Sequence, residues 1–436
     1  MKRVSVIIVN FNGAHYLKDL FSSLESVDYP RDKLEIIVFD NGSIDNSCDV
    51  IKSDCPGATI LKSDHNIGFA RPHKIAAEEA TGDVLAFLNN DMKVDPRWIK
   101  EGVAHLNRAE GVVCASSKIF DWTGDNIDFC GGTLHYLGFA DQLHGTELND
   151  GQEILFPCGG AMFIDKAVFK KVGCFDDDYF AIFEDVDLGW RLWVIGYRVV
   201  IATESIVYHR GHGTLDTQRE TKKRYLMHRN AMMTIIKNYD GTNLKRILPL
   251  SLIFAVKRAL LFMGVDKKQY YFWEENNGSG SSEEPDNFEE GCIHLAALDD
   301  VIGDFKRIVE KRNQVQSMRK RSDGDIFTHF KDPFRNIMGY REYLWDEVAL
   351  FGAFSLDCVF NCKEEYRNRE EEAMYHVKEQ LYELIPEVRG STNKRKGENI
   401  IVIKEFPREN IWAKVLNSLK NQGVITTCKK GFSRLL

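Results

Sequence analysis

The most constraining feature of this sequence is a short apolar segment that ends in polar side chains. Val84–Leu88 are all apolar, and Asn89, Asn90 and Asp91 follow directly. Such a segment is typical of a strand buried on both faces of a parallel sheet. In open α/β sheets the carboxyl ends of the strands face the ligand crevice. A carboxylate there can hold Mg²⁺ or Mn²⁺ against a diphosphate, or it can simply cap the next turn.

Strands and helices alternate through the first hundred residues. Apolar strand segments occupy 4–10, 34–39 and 58–61, and helical spacing occurs at 15–27, 47–52 and 75–80. This alternation predicts a doubly wound, mostly parallel sheet with helices on both faces. The first turn, Phe11-Asn12-Gly13, is not the glycine-rich turn of dinucleotide-binding proteins, and the chain has no P-loop motif. Asp40 ends the second strand, where it can accept hydrogen bonds from a base or ribose or begin a turn.

Composition narrows the class of protein. The 436 residues carry a formal charge of -8, which argues against nucleic acid as a partner. The ten cysteines contain no C-x-x-C pair, so we expect reduced thiols and a cytoplasmic protein. The N-terminal apolar run is too short for a signal peptide.

A second group of acids precedes a helical pattern. Glu184, Asp185 and Asp187 come just before Leu188 and Leu192. Carboxylates at a helix N-terminus are often caps. Alternatively, one ionised carboxylate here accepts the proton of an acceptor hydroxyl. Arg191 is predicted to form an internal ion pair.

The segment from Phe120 to Gly151 is long, aromatic and rich in glycine, which is typical of a binding loop. Aromatic rings offer flat faces on which a ligand can stack, and paired glycines, such as Gly159 and Gly160, let backbone approach a ligand closely. We therefore predict that this region and its neighbours bind a ligand, with Trp122 among the contacts.

Four segments in order resemble the motifs of family 2 inverting glycosyltransferases, which have the GT-A fold. They are 6–13, 38–43, 66–70 and 88–91, and the likeness is greatest to rhamnosyltransferase-like and galactofuranosyltransferase-like enzymes. It covers about Val4 to Tyr239. One departure is Arg71-Pro72-His73-Lys74, where the family usually has a glycine and an asparagine, so donor contacts in that loop are uncertain.

The resemblance implies a role for each matching residue. Asp91 and His209 would hold Mn²⁺ or Mg²⁺, with His209 preferred to His212. Asp185 would be the base, and Glu184 would position the acceptor. The acceptor would bind to Trp122, Gly159, Gly160 and Asp187. Contacts to a nucleotide diphosphate sugar would come from Val9, Phe11, Asp40, Asn66, Gly68, Asn89, Asn90 and Arg229.

The resemblance thus implies transfer of a sugar to a glycan or lipid-linked glycan in cell-surface polysaccharide synthesis. Two alternatives remain. A sugar-phosphate nucleotidyltransferase would need a glycine-rich basic loop after the first strand, and a non-catalytic nucleotide-sugar-binding scaffold would have lost the metal carboxylate or the base.

The chain changes character beyond Asp240. We predict a catalytic domain at 1–240, an apolar and basic helical segment at 241–275, a flexible acidic linker at 276–290 and a mostly helical region at 291–436. The apolar segment carries Lys245-Arg246, Lys257-Arg258 and Lys267-Lys268. It fits a helix lying on the inner face of the cell membrane as well as it fits a helical pair packed in the core.

Overall fold

The computed structural model describes residues 1–143, 148–211, 217–265 and 288–335, with residues 350, 354 and 356–360 in addition. The chain divides into two compact units. The first comprises Met1–Gly264 with Glu284–Arg335, and the second comprises Val265–Glu283 with Asn336–Leu436. The first unit therefore continues well past Asp240, the predicted end of the catalytic domain. The predicted linker at 276–290 and the alternative ligand His212 lie largely or wholly outside the described residues.

Nine strands of the first unit form one sheet, and two short strands form a second. The strands are β1 Val4–Asn10, β2 Leu34–Asp40, β3 Thr59–Lys62, β4 Val84–Leu88, β5 Met92–Val94, β6 Val112–Asp121, β7 Ile127–Phe129, β8 Gly132–Leu134, β9 Ala140–Gln142, β10 Ala161–Asp165 and β11 Arg198–His209. The large sheet has the order β3-β2-β1-β4-β10-β6-β11-β5, with β7 paired to β6, and β8 pairs with β9.

The first four strands of this order are parallel, as the alternation of strands and helices predicts. From β10 onward the pairing is mixed, because β10 runs antiparallel to both β4 and β6, and β5 runs antiparallel to β11. All five residues of β4 are buried. The predicted doubly wound GT-A architecture is confirmed, and its second half is mixed rather than parallel.

Helices cover the sheet and form most of the C-terminal part of the first unit. They are α1 Ala14–Glu25, α2 Ser47–Asp54, α3 Ala70–Glu79, α4 Trp98–Ala104, α5 Lys166–Lys171, α6 Glu184–Ile195, α7 Thr217–Asn238, α8 Gly241–Phe262, α9 Phe288–Gly303, α10 Phe305–Ser317 and α11 Asp323–Ile326; α12, Leu356–Phe360, belongs to the second unit. Helix α1 buries Leu17, Leu20, Phe21 and Leu24, the face that its sequence spacing predicts.

Two helices differ from the sequence prediction. Helix α3 begins at Ala70, five residues earlier than predicted, and contains Pro72 in its first turn. Proline is tolerated there because the first backbone N–H groups of a helix have no partner within the helix. Helix α8 is one 22-residue helix that contains Pro249 and buries Ile247, Leu250 and Phe254. Within the described part of the chain, no helix is both long enough and apolar enough to cross a membrane.

Candidate active site

A cavity of about 270 Å³ opens at the carboxyl ends of β1 and β4. Most of the residues predicted to contact a nucleotide sugar line it. The lining is Val9, Phe11, Asn41, Asn66, Gly68, Phe69, Asn89, Asn90, Asp91, Phe180 and Ala181. The structure therefore brings together seven residues that were predicted as donor or metal contacts from separate segments of the sequence.

Asparagine side chains give the cavity its shape. The Asn41 amide donates to the carbonyl of Gly68 at 2.8 Å and to Asn66 Oδ1 at 3.1 Å, and it accepts from the backbone N–H of Ile67. On the opposite strand, Asn90 donates to Asn10 Oδ1 at 2.8 Å. These bonds fix the loop after β3 and the loop after β4, which form walls of the cavity.

Asp40 does not line the cavity itself, but the next residue, Asn41, does. Asp40 ends β2 beside Asn10 of β1, is 3% exposed, and accepts a hydrogen bond from the Cys48 thiol. Its Oδ1 atom is buried and has no hydrogen-bond partner within the described part of the chain. A buried acceptor without a partner is costly, about 1–3 kcal/mol, so this oxygen is suited to receive a donor from a bound nucleotide.

Asp91 and His209 meet because β5, which follows Asp91, pairs antiparallel with the end of β11. His209 Nε2 lies 3.2 Å from Asp91 Oδ2, and His209 Nδ1 lies 2.6 Å from Asp128 Oδ2. The hydrogen bonds to Asp128 and Asp91 raise the pKa of His209 to about 10. Asp91 Oδ1 is buried and has no partner among the residues described.

This arrangement fits a divalent metal ion. Asp91 Oδ1 has no partner within the described residues, and His209 Nε2 faces Asp91 while Asp128 holds the other ring nitrogen. A bound cation would take the place of the proton on Nε2. A carboxylate on the second nitrogen of a metal-binding histidine is a recurrent way to fix the ring. Asp91 and His209 would be the ligands of such an ion, and Asp128 would orient His209.

Trp122 lies beside this histidine, at the end of β6. Its ring is covered by two cations, with Lys93 Nζ 4.3 Å and the Arg210 guanidinium carbon 4.4 Å from the ring centroid. Arg210 also donates its backbone N–H to the carbonyl of Asp91 at 3.1 Å. The structure thus places Trp122 next to the candidate metal ligands, with its ring in contact with cationic side chains.

The loop that precedes α6 has a strained backbone. Phe180, Ile182 and Phe183 all have positive φ angles, of 55°, 69° and 76°. Left-handed backbone is costly for such residues and persists only where the surroundings impose it. Asn230 of α7 imposes it, because its amide donates to the carbonyls of Tyr179, Ala181 and Ile182 at 3.2, 3.0 and 2.7 Å.

This loop places two acids in different surroundings at the start of α6. Asp185 is partly exposed and accepts backbone N–H bonds at 2.8 Å from both Gly159 and Val186. Burial raises the pKa of Asp185, and these bonds oppose the rise. Burial and the charge of Asp185 raise the pKa of Glu184 much further. Two neighbouring acids with separated pKa values can divide the roles of base and neutral hydrogen-bonding group.

The paired glycines connect Asp185 to the cavity. Gly159 donates to Asp185, and the carbonyl of Gly160 accepts from the backbone N–H of Asn89, which lines the cavity, at 2.9 Å. A Cβ atom on Gly159 would lie 3.1 Å from Asp185 Cβ. The glycines therefore position the acid, in addition to any contact they make with an acceptor.

Two predicted site residues have structural roles instead. Asp187 has no exposed surface and is paired with Arg191 at 2.7 Å and Lys237 at 2.9 Å, so the prediction that it binds the acceptor is corrected. The predicted ion pair of Arg191 is confirmed. Arg229 is buried and pairs with Asp300 at 3.2 Å and Asp304 at 2.9 Å, so its predicted diphosphate contact is replaced by a contact between helices.

The sequence analysis missed Asn41, Asp128 and Asn230. Asn41 directly follows Asp40, and its position at a strand end could have indicated its role. Asp128 lies in a stretch without periodicity, and Asn230 lies on a helix far along the chain. Nothing in the sequence pattern indicates what either of them contacts.

Comparisons with known proteins find one matching family model and several relatives. The model of the glycosyl transferase family 2 matches residues 5–173. The chain is 30% identical over 216 residues to the glycosyltransferase AglE of Haloferax volcanii, covering 47% of this chain and 66% of the relative. It is 28% identical over 224 residues to the O-antigen biosynthesis protein RfbC of Myxococcus xanthus, covering 48% of this chain and 17% of the relative. The chain thus spans less than two thirds of either relative.

One solved structure that resembles the chain is the crystal structure of GalNAc-T7 with UDP, GalNAc and Mn²⁺. The TM-score is 0.48 at 15% identity, and the match covers 70% of this chain and 58% of the other.

Proposed function

We propose that the chain, whose residues 5–173 match the model of the glycosyl transferase family 2, is a metal-dependent inverting glycosyltransferase. It would move a sugar from a nucleotide diphosphate sugar to a hydroxyl of a glycan or lipid-linked glycan, in the synthesis of a cell-surface polysaccharide. The observation that carries the proposal is the connection of Asn89, Gly160, Gly159 and Asp185. It joins a nucleotide-sized cavity to a fixed carboxylate that can act as a base.

Each step of the proposed reaction has a residue in place. The donor nucleotide would occupy the cavity, with the unpartnered Asp40 Oδ1 accepting from its base or ribose. A Mn²⁺ or Mg²⁺ ion held by Asp91 and His209 would neutralise the leaving diphosphate. Asp185 would remove the proton of the acceptor hydroxyl, which then attacks the anomeric carbon from the opposite face in one displacement. Glu184, whose pKa is raised by burial and by the charge of Asp185, would position the acceptor.

The structure favours this proposal over a nucleotidyltransferase. Among the described residues that line the cavity there is no lysine or arginine, and the turn after β1 has only one glycine. A nucleotidyltransferase of this kind would need a basic, glycine-rich loop there to hold a triphosphate. A non-catalytic scaffold would have no reason to retain both Asp91 and Asp185 in hydrogen-bonded positions.

The test is a screen of nucleotide diphosphate sugars with Mn²⁺ and oligosaccharide or lipid-linked acceptors. We expect one donor to release nucleoside diphosphate and to give a product of inverted anomeric configuration by NMR. Retention of configuration would overturn the inverting mechanism. Release of inorganic diphosphate from a nucleoside triphosphate would support a nucleotidyltransferase, and donor binding without any product would support a scaffold.

Peripheral attachment to the inner face of the cell membrane is a further part of the proposal. Most of the apolar face of α8 is packed inside the unit, and Arg258 is 3% exposed, so neither contacts a membrane. The same helix leaves Ile253, Val256 and Leu261 exposed at 43%, 41% and 36%. Lys257 lies between them in the sequence. An apolar strip beside basic residues is what binds an anionic bilayer surface.

Flotation with anionic liposomes tests the attachment. We expect the full chain to float at low salt and the double variant Ile253→Ser/Val256→Ser to remain in the lower fraction. Ile127→Ser, at a residue that is 54% exposed on β7, is the matched control and should float. If the double variant floats as well as the full chain, α8 is not the membrane contact.

A further inference from the structure

Three side chains with metal-ligating atoms meet between α7 and α9. His228 belongs to α7, and Glu290 and His294 belong to α9. One ligand atom from each lies within 4.8 Å of the other two. Glu290 and His294 are four residues apart, so they occupy the same face of α9 one turn apart. None of the three lines the cavity of the candidate active site.

Three ring nitrogens of the two histidines are buried and have no hydrogen-bond partner within the described residues. His294 is 2% exposed, and neither of its ring nitrogens has a partner within the described ranges; the same holds for His228 Nδ1. A neutral imidazole has one donor and one acceptor nitrogen, and leaving either unpaired in the interior costs about 1–3 kcal/mol. The local packing therefore leaves a set of buried nitrogens that a ligand can satisfy.

Two neighbouring rings pack against His294. The Phe262 ring is stacked on it, with the centroids 5.5 Å apart at an interplanar angle of 18°. The His228 ring meets it edge to face, with the centroids 4.0 Å apart at 60°. The stacked contact uses the π-faces of the rings. The nitrogens lie in the ring plane, so the stacked contact with Phe262 does not use their lone pairs.

The charges around the cluster are mixed. Burial lowers the pKa of both His228 and His294, and neighbouring cations add to the effect. Glu290 brings a negative charge, which it shares with Arg224 at 2.6 Å. The Arg258 guanidinium lies nearby, over the Phe139 ring, and its charge opposes a bound cation.

We propose that His228, Glu290 and His294 bind a divalent transition metal ion, best matched by Zn²⁺, that links α7 to α9. Two imidazoles and one carboxylate form a donor set typical of Zn²⁺, whereas Mg²⁺ and Ca²⁺ prefer oxygen ligands. With bond lengths of about 2.0–2.2 Å the three atoms must move closer together, which rotation of the side chains can supply. A water molecule would complete a tetrahedral shell.

Such an ion would stabilise the helix that supports the catalytic loop. His228 is two residues from Asn230, which holds the strained carbonyls of Tyr179, Ala181 and Ile182. The ligands of the proposed ion come from two helices that are more than sixty residues apart in the sequence. The site would therefore be structural and separate from the ion that Asp91 and His209 would hold.

Metal binding to the full chain, without nucleotide or sugar, tests this site. The chain is stripped with a chelator and dialysed against Zn²⁺, and bound metal is measured together with the Co²⁺ absorption spectrum. Asp91→Asn serves as the background because it removes the other candidate site. We expect the Asp91→Asn chain to retain one equivalent of Zn²⁺ and to show a tetrahedral Co²⁺ spectrum. Adding Glu290→Gln or His294→Asn should weaken binding about tenfold or more.

Controls separate ligand loss from other causes. Glu290→Gln is isosteric at a partly exposed position, so its thermal unfolding in chelator should match that of the parent chain. Cys292→Ser removes an exposed thiol on the same helix and should keep the ion. The proposal is overturned if the Asp91→Asn chain binds no Zn²⁺, if Glu290→Gln and His294→Asn leave binding unchanged, or if Cys292→Ser abolishes it. No donor sugar is used, so this outcome is independent of the transferase assay.

Discussion

Two adjacent acids at the start of α6 differ in what surrounds them, and the proposed chemistry depends on that difference. Asp185 is held by two backbone N–H groups and reaches solvent, whereas Glu184 is buried with one oxygen unpaired within the described structure. We expect Asp185→Asn to keep its hydrogen bond from Gly159 and to bind donor normally. Its kcat should fall by about 10²–10⁴-fold, because an amide cannot accept the acceptor proton.

Transfer assays would measure the fall in kcat, and titration with the donor would measure whether donor binding is unchanged. Asp187→Asn is the informative comparison, because Asp187 is buried in ion pairs and its loss should lower the unfolding temperature as well as activity. Normal transfer by Asp185→Asn would mean that another carboxylate is the base.

The raised pKa of Asp185 predicts how transfer depends on pH. A base works only when ionised, and burial raises the pKa of Asp185 above its ordinary value of about 3.9. Lowering the pH through this raised pKa protonates the base, so kcat should fall on the acid side at a pH above that ordinary value. A profile of kcat against pH under saturating donor would show this limb. An activity that stays constant down to about pH 4 would contradict the assignment.

The next prediction concerns Asp91 as a ligand of the metal ion. Asp91→Asn replaces a charged oxygen ligand with a neutral amide of the same shape, which is a poor ligand for a hard cation. We expect turnover to be lost and the Mn²⁺-dependent part of nucleotide binding to disappear, as measured by calorimetry with and without chelator. Nucleotide affinity that still rises with Mn²⁺ in this variant would place the ion elsewhere.

At the scale of elements, α7 determines the conformation of the loop that carries the acids. Asn230 supplies donors to three carbonyls of a segment with three left-handed residues. Asn230→Asp keeps the size but removes the amide donors, so we expect a loss of about 1–3 kcal/mol in unfolding free energy and a lower kcat. Denaturant unfolding and transfer assays would show both. Asn243→Asp on α8, which is far from this loop in sequence, is a comparison that should spare kcat.

The sequence predicts those elements whose pattern is local. Strands β1, β2 and β4 and helix α1 follow from apolar runs and spacing, and the polar residues at their ends come together as parallel topology requires. The antiparallel insertion of β10 between β4 and β6 depends on long-range pairing that no local pattern encodes. For the same reason Asp128 and Asn230 were missed, and Asp187 and Arg229 were assigned to ligands when they pair with residues distant in sequence.

For the molecule as a whole, the helices after Asp240 complete the first compact unit. Arg312 of α10 donates to the carbonyls of Ile236 and Tyr239, both at 2.6 Å, and Gln316 donates to that of Lys237 at 2.9 Å. These carbonyls end α7, where the last turn of a helix lacks internal partners. Lys311 of the same helix pairs with the buried Asp176, and this charge, with Lys237, lowers the pKa of Asp176.

We therefore predict that a chain ending at Asp240 does not fold stably. It would leave the carbonyls at the end of α7 without their partners, remove both acids that pair with Arg229 and expose the apolar residues that α9 and α10 cover. Thermal unfolding followed by circular dichroism, with limited proteolysis, measures the effect. A chain ending at Arg335 keeps every described contact of the first unit and is the matched control, so it should unfold cooperatively. If the chain ending at Asp240 unfolds at the same temperature as this control, α8–α11 are an accessory module and the catalytic domain ends where the sequence predicted.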